Sequence, residues 1–170
     1  AHQNQGVGRS LKLAQREVAI GDGIDCIEWT YDPMRARNAF FNIERLGAIA
    51  RRYLPDYYGA IQSRLQQGLP SDRLVAEWWL KSARVKHARA GKSPRQTRAG
   101  PVAEVSIPAD FGALMEADPE QGRDLQGAVR QKLQQCFRRK LAITGFAIEG
   151  DRGRYRLEPL AAVGPRGRIA

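Results

Sequence analysis

The chain has 170 residues, of which 42% are hydrophobic, and its formal net charge is +10. This length and composition fit one globular domain, or one domain with an appendage, and exclude a disordered chain. No apolar run is long enough to span a bilayer and the chain does not open like a signal peptide, so we expect a cytoplasmic protein without membrane contact. The positive charge indicates a polyanionic partner, which by charge alone is nucleic acid, a membrane surface or a phosphate-rich cofactor.

The first half of the chain alternates between helical and strand patterns joined by short links. Its first helix carries Val7, Leu11, Ala14 and Val18 at helical spacing and stops at the sequence GDGID. The long connection over residues 56–70 has one candidate helical turn, at 61–65. The predicted elements of this half are a helix over 6–20, a strand over 26–30, a helix over 35–46 and strands over 48–54 and 73–80.

The second half begins with a change in composition. Residues 81–100 carry a run of Lys and Arg and almost nothing bulky, which predicts a flexible basic loop. The loop is either solvated or a contact for nucleic acid or a cofactor phosphate. The predicted elements after it are a strand over 101–108, a helix over 118–141, a hairpin of strands over 143–149 and 154–158, and a frayed tail over 161–170.

Together these patterns predict a layered α/β arrangement, formally α+β, in which helices flank a mixed sheet. We divide the chain into a core over residues 1–80, the basic loop over 81–100, an α/β extension over 101–160 and the tail. No internal repeat is present.

A glycine pair stands at the start of the first predicted helix. The sequence predicts that Gly6 and Gly8 lie in a turn whose backbone N–H groups, with the positive end of the helix dipole, suit a diphosphate. Glycine turns also serve close packing, and on these residues alone the two interpretations carry equal weight.

The surrounding segments form a longer pattern. Gln3, Gly6 and Gly8 form a Gln-x-x-Gly-x-Gly loop, followed by a helix, the strand CIEWTYDP, the Ala-rich helix RARNAFFNIERLGA and another strand. This order resembles the acetyl-CoA-binding half of the GNAT acyltransferase superfamily. The segments DPMRARNAFFNIERLGAIARRYLPDYYG and GLPSDRLVAEWWL are similar to a bacterial branch of it. The resemblance covers residues 3–80.

The resemblance implies an N-acyltransferase in which an amine of a small molecule or peptide attacks the thioester of acetyl-CoA, or of another acyl-CoA, directly. It places the first helix at the diphosphate, the strand over residues 27–30 beside the pantetheine arm, and the second helix within reach of that arm. The implied cofactor-binding residues are Gln3, Asn4, Gln5, Gly6, Val7, Gly8, Arg9, Lys12, Thr30, Asn38 and Asn42.

The chain departs from the family pattern at two points. Where many members have a tyrosine that protonates the leaving thiolate, this chain has Ile43, and the residues do not choose between Tyr53, Tyr57, Tyr58 and water as a substitute acid. The family also places strands before the glycine loop, whereas only Ala1 and His2 precede it here. We therefore expect an incomplete fold at the N-terminus, completed by the rest of a longer protein or by a second chain in a homodimer.

Other chemical groups point to ordinary structural roles. Cys26 and Cys136 lack metal or disulfide spacing and are predicted to be buried thiols, and no metal site is predicted. Glu28 and Glu77 lie mid-strand and are either paired carboxylates, the favoured interpretation, or a general base. His2 and His87 have no triad partners in the sequence. The alternative function is a basic nucleic-acid-binding domain or a non-catalytic GNAT-like domain.

Overall fold

A computed structural model describes residues 7–59, 69–92 and 100–163. A five-residue α-helix, α2, continues directly into a π-helical turn at Phe41–Arg45. The elements in chain order are α1 (Val7–Gly21), β1 (Cys26–Tyr31), α2 (Ala36–Phe40), β2 (Ile49–Leu54), β3 (Arg73–Trp79), α3 (Ala83–Arg89), β4 (Ala103–Pro108), α4 (Phe111–Ala117), α5 (Pro119–Arg138), β5 (Leu141–Glu149), β6 (Arg152–Pro159) and α6 (Leu160–Val163).

The strands form a six-stranded sheet in the order β1-β3-β2-β5-β6-β4. The α+β class is confirmed, but the expected mixed sheet is wrong, because every strand pair among the described residues is antiparallel. β1 and β2 run in the same direction, as a strand–helix–strand unit predicts. They are not neighbours, however, because β3 is inserted between them and is antiparallel to both.

The sheet consists of two three-stranded halves that meet at one residue pair, Ala50 opposite Ile143. Beyond that pair, side chains satisfy the backbone of β5: the Phe146 N–H donates to Glu44 at 2.8 Å, and Arg84 donates to the Thr144 carbonyl. The π-helical turn and α3 therefore replace a neighbouring strand along this part of β5.

The core fills the space between the sheet and the helices. Trp78, Ile43 and Leu133 are fully buried, and the Trp78 indole N–H donates to the Leu46 carbonyl at 2.8 Å, which fixes the π-helical turn on β3. α5 packs on the sheet through the buried side chains of Val129 and Leu133. Among the described residues, the helices lack the length and apolarity needed to cross a membrane.

The first helix is where predicted, but it faces the other way. The apolar stripe is exposed, with Val7 at 50%, Leu11 at 67% and Val18 at 66%, whereas Arg16 and Ala19 are the buried residues. The helix packs through Arg16 because its guanidinium finds acceptors on the adjacent chain, the Leu80 carbonyl at 2.9 and 2.7 Å.

The predicted flexible loop over residues 81–100 is wrong for its first part. Residues 83–89 form α3, which begins with the Ser82 hydroxyl accepting from the Val85 N–H at 3.3 Å and buries the Val85 and Ala88 side chains. One capping residue and two small apolar side chains are enough because the helix is short and packs against the π-helical turn. Residues 93–99 of the predicted loop lie outside the described residues.

The helix predicted over residues 118–141 runs three residues too far at its C-terminal end. α5 ends at Arg138, Lys140 has a left-handed φ of 59°, and Leu141 already belongs to β5. Helix α4, which is capped by the Asp110 carboxylate, was not predicted. The predicted hairpin is confirmed, whereas the candidate turn at 61–65 and most of the tail lie outside the described residues.

Candidate cofactor site

The candidate site begins at the N-terminal end of α1. Gly8 lies in the first turn of the helix, so the prediction that it belongs to a preceding turn is wrong. Among the described residues, a Cβ at Gly8 would meet within 4 Å only the Phe41 ring, at 3.9 Å. Four of the predicted binding residues lie outside the described residues: Gln3, Asn4, Gln5 and Gly6.

Positive charge surrounds this helix end. From Val7 onward, the first turn of α1 holds no acidic residue, and its N–H groups carry the positive end of the helix dipole. Arg9 donates to the carbonyls of Ala88 at 3.2 Å and Arg89 at 3.0 Å, at the C-terminal end of α3. Arg89 in turn pairs with Glu17 at 3.5 Å. α3, predicted as a loop, therefore places its basic end against the first turns of α1.

Lys12 connects α1 to the edge strand β1. Its ammonium lies 3.8 Å from the centre of the Trp29 ring, a cation–π contact, and also donates to Gln15 at 3.1 Å. Partial burial lowers the pKa of Lys12. The predicted binding residue Lys12 is thus directed towards the strand that was predicted to flank the cofactor arm.

Trp29 also contacts the second helix, at the residue predicted to reach that arm. Its indole N–H donates to the Asn42 side-chain oxygen at 3.3 Å, and Asn42 is buried in the π-helical turn. Asn38 is exposed, and Thr30 is half-buried next to Trp29. The structure therefore joins Lys12 and Asn42 through Trp29, a residue that the sequence analysis did not select. The only sequence feature that marked Trp29 was its place in the strand CIEWT.

π-helical turns are rare and are frequent at functional sites. Here the turn places Asn42 under Trp29 and buries Ile43 completely. Ile43 therefore offers no proton at the position where the family pattern has a tyrosine. Tyr53 is also engaged elsewhere: its hydroxyl donates to Asp72 at 2.7 Å, in a cluster where Arg130 binds the same carboxylate. Burial raises the pKa of Tyr53 well above its usual range, and its hydrogen bond to Asp72 raises it further.

The outer edge of β1 is unpaired among the described residues, since β1 stands at the end of the strand order with only β3 beside it. A groove of about 560 Å³ runs between α1 and the first half of β1. The residues that line it are Gln15, Val18, Ala19, Asp22, Ile24, Cys26, Ile27 and Glu28.

The two mid-strand carboxylates have arginine partners. Glu77 is fully buried and binds Arg51 at 2.9 and 3.1 Å, with Arg52 at 3.5 Å. Glu28, opposite Glu77 on β1, is about half exposed and pairs with Arg52. Glu77 is out of reach of a ligand because it is fully buried, whereas Glu28, although paired with Arg52, remains accessible.

Cys26, Cys136 and His87 lie in surroundings typical of structural residues. Cys136 is buried, but Cys26 is only half-buried and lines the groove, so the prediction of two buried thiols holds for one. Burial, with smaller effects of Glu77 and Glu28, raises the pKa of Cys26 to about 11. His87 lies 2.7 Å from the Ala83 carbonyl within α3. The described part of the chain contains no cluster of His, Cys, Asp and Glu that could hold a metal ion.

No known protein family, curated protein or solved structure matches the chain.

Proposed function

We propose that the chain is an acyl-CoA-dependent N-acyltransferase that holds the cofactor diphosphate at the N-terminal end of α1. One observation carries the proposal: a helix whose first turn holds no acidic residue is fixed by Lys12 and Trp29 beside the edge of β1, which is unpaired among the described residues. The resemblance of residues 3–80 to the GNAT superfamily supplies the chemistry that these features would serve.

The helix end and the strand edge suit different parts of the cofactor. The free N–H groups of α1, with Arg9 nearby, offer donors and positive charge to a diphosphate. The second half of β1, around Trp29 and Thr30, offers backbone donors and acceptors to the amide groups of the pantetheine arm, as a neighbouring strand would. Asn38 lies exposed on the adjacent helix and can donate to the same arm.

The reaction requires a neutral amine to attack the thioester carbonyl, followed by departure of the thiolate. Of the two mid-strand carboxylates, Glu28 is the accessible one, and it lies on the strand beside the arm. We assign it to accept the proton of the amine. Tyr57 and Tyr58 remain the exposed hydroxyl groups for protonation of the thiolate, because Ile43 has no proton to give and Tyr53 is bound to Asp72.

The contacts of the basic segment favour this function over nucleic-acid binding. Lys81 pairs with Asp25 at 3.0 Å, Arg89 pairs with Glu17, and Arg84 donates to the Thr144 carbonyl. These three cations serve contacts within the chain and are therefore less free to bind nucleic-acid phosphates.

Calorimetric titration with acetyl-CoA tests the proposal. We expect binding to the unaltered chain and an affinity at least ~10-fold lower, about 1.4 kcal/mol, for Gly8→Val, because a branched side chain would crowd the helix end. Gly21→Val is the matched control: it alters the other end of the same helix, where a Cβ would meet nothing within 4 Å. Equal binding by both variants would place the diphosphate elsewhere. Binding of a single-stranded oligonucleotide in place of acetyl-CoA, weakening steeply with salt, would support the alternative.

A further inference from the structure

The outward face of α1 carries an apolar stripe with a regular spacing. Val7, Leu11, Ala14 and Val18 follow one another at intervals of four, three and four residues, and all four are exposed. This is the spacing of the contact positions in a two-helix coiled coil. The stripe faces away from Arg16, through which α1 packs on the rest of the chain, so the sheet does not cover it.

The cations of α1 do not lie on this stripe. Arg9, Lys12 and Arg16 contact α3, β1 and the end of β3. The stripe therefore offers no cation to a nucleic acid, and an exposed apolar face is suited to a protein partner. Two copies of a chain with net charge +10 repel each other, but here they can approach with the cations of both helices turned away.

The stripe is complementary to itself in one orientation. If a second copy of α1 lies antiparallel to the first, across a two-fold axis at the middle of the stripe, Val7 packs on Val18 of the second copy and Leu11 packs on its Ala14. The longest side chain of the stripe then meets the shortest one. The two-fold axis repeats both contacts, which is the property of an interface between identical chains.

The residues that flank the stripe favour the same orientation. Ser10 and Glu17 lie along one side of it, and both are exposed. In the antiparallel pair Ser10 lies beside Glu17 of the second copy, so a hydroxyl donor meets a carboxylate. A parallel pair would instead bring Glu17 towards Asp22 of the second copy, where like charges would repel.

We propose that the outward face of α1 is a dimerisation surface on which α1 of a second copy packs in the antiparallel direction. A helix of 15 residues supplies two heptads, which bury less than the ~1,200 Å² of a stable interface, so the dimer is weak and depends on concentration. The surface is separate from the edge of β1. It does not rest on the proposed acyltransferase function, because the cofactor is assigned to the end of α1 and to β1.

Sedimentation velocity of the intact chain over a range of concentrations tests the surface. We expect a monomer–dimer equilibrium with a Kd on the order of 10 µM or weaker. Leu11→Glu should weaken the dimer at least ~10-fold, because it places an unpaired carboxylate between the two helices. Val102→Glu is the matched control and should leave the dimer unchanged, since Val102 is also exposed, at 52%, but lies outside α1. Far-UV circular dichroism verifies that both variants are folded.

Cross-linking tests the orientation without Leu11→Glu. Val7→Cys and Val18→Cys are made in a Cys26→Ser background, which removes the half-buried native thiol, and are oxidised separately and as a mixture. We expect the disulfide between positions 7 and 18 to form at least ~10-fold faster than that of either variant with itself, because the antiparallel pair brings those two positions together. Faster cross-linking of Val7→Cys with itself would overturn the proposal. A chain that stays monomeric up to millimolar concentration, or a dimer that Leu11→Glu leaves intact, would also overturn it.

Discussion

Helices α1 and α5 are both amphipathic, yet they pack on the sheet through opposite kinds of face. α5 buries Val129 and Leu133 and leaves Lys132 exposed. α1 buries Arg16 and leaves Leu11 exposed. A helical period therefore identifies a helix and its two faces, but not which face the rest of the chain covers.

The reason lies in the acceptors that surround α1. Arg16 reaches the carbonyl of Leu80 at the end of β3, Arg9 reaches the last carbonyls of α3, and Lys12 lies on the Trp29 ring. Long cationic side chains bury their stems while the charged heads remain bonded. α5 makes such a contact at the margin of its apolar face, where Arg130 binds Asp72 at 2.8 Å.

The largest expected difference between the two helices is in their leucines. Leu133→Ala should lower the free energy of unfolding by ~2–5 kcal/mol because it leaves a cavity under α5. Leu11→Ala should change it by less than ~0.5 kcal/mol, because the side chain is exposed in the chain by itself. Urea denaturation of both variants measures the contrast. A loss of stability for Leu11→Ala as large as that for Leu133→Ala would show that the Leu11 side chain is buried.

The next effect concerns the buried arginine of α1. Arg16→Ala should lower the free energy of unfolding by ~1.5–3 kcal/mol, because it removes charge-assisted hydrogen bonds and leaves the Leu80 carbonyl without its donor. Lys132→Ala, on the exposed face of α5, is the control and should fall within ~0.5 kcal/mol of the unaltered chain. Arg16→Lys should recover part of the loss. If Arg16→Ala and Lys132→Ala lower the free energy of unfolding by equally small amounts, the packing of α1 on the rest of the chain does not depend on Arg16.

Much of the sheet could be predicted from the sequence because its signals are local. The hairpin of β5 and β6 turns at Gly150, whose φ is 59°, and the strands at Cys26 and Arg73 combine bulky residues with flanking Asp, Pro or Gly. α3 could not be predicted from periodicity, because only Val85 and Ala88 are buried in it. The sequence feature that could have indicated α3 was Ser82, whose hydroxyl caps the helix.

The candidate site depends on contacts that no local pattern encodes. Lys12, Trp29 and Asn42 come from three different elements and meet only once α1 and the π-helical turn share one face of β1. A helix was correctly predicted after the glycine pattern, but the direction of that helix's apolar stripe followed from the acceptors on β3 and α3, which are distant in sequence.

The smallest expected effect is the pH dependence of stability that Lys12 of α1 contributes. Partial burial lowers the pKa of Lys12, so the folded chain binds that proton less tightly than the unfolded chain does. Lys12 therefore contributes stability that is fully present above its unfolded pKa, near 10.4, and is lost as the pH falls through its lower folded pKa. The stability of the unaltered chain relative to Lys12→Met should rise on passing from neutral pH to about pH 11. The change should be small, because much of the ammonium group stays in contact with solvent. Lys132→Met, on the exposed face of α5, is the matched control, and thermal melts of the three proteins across this range give the comparison. A difference between the unaltered chain and Lys12→Met that falls with rising pH would mean that the cation–π contact with Trp29 outweighs burial.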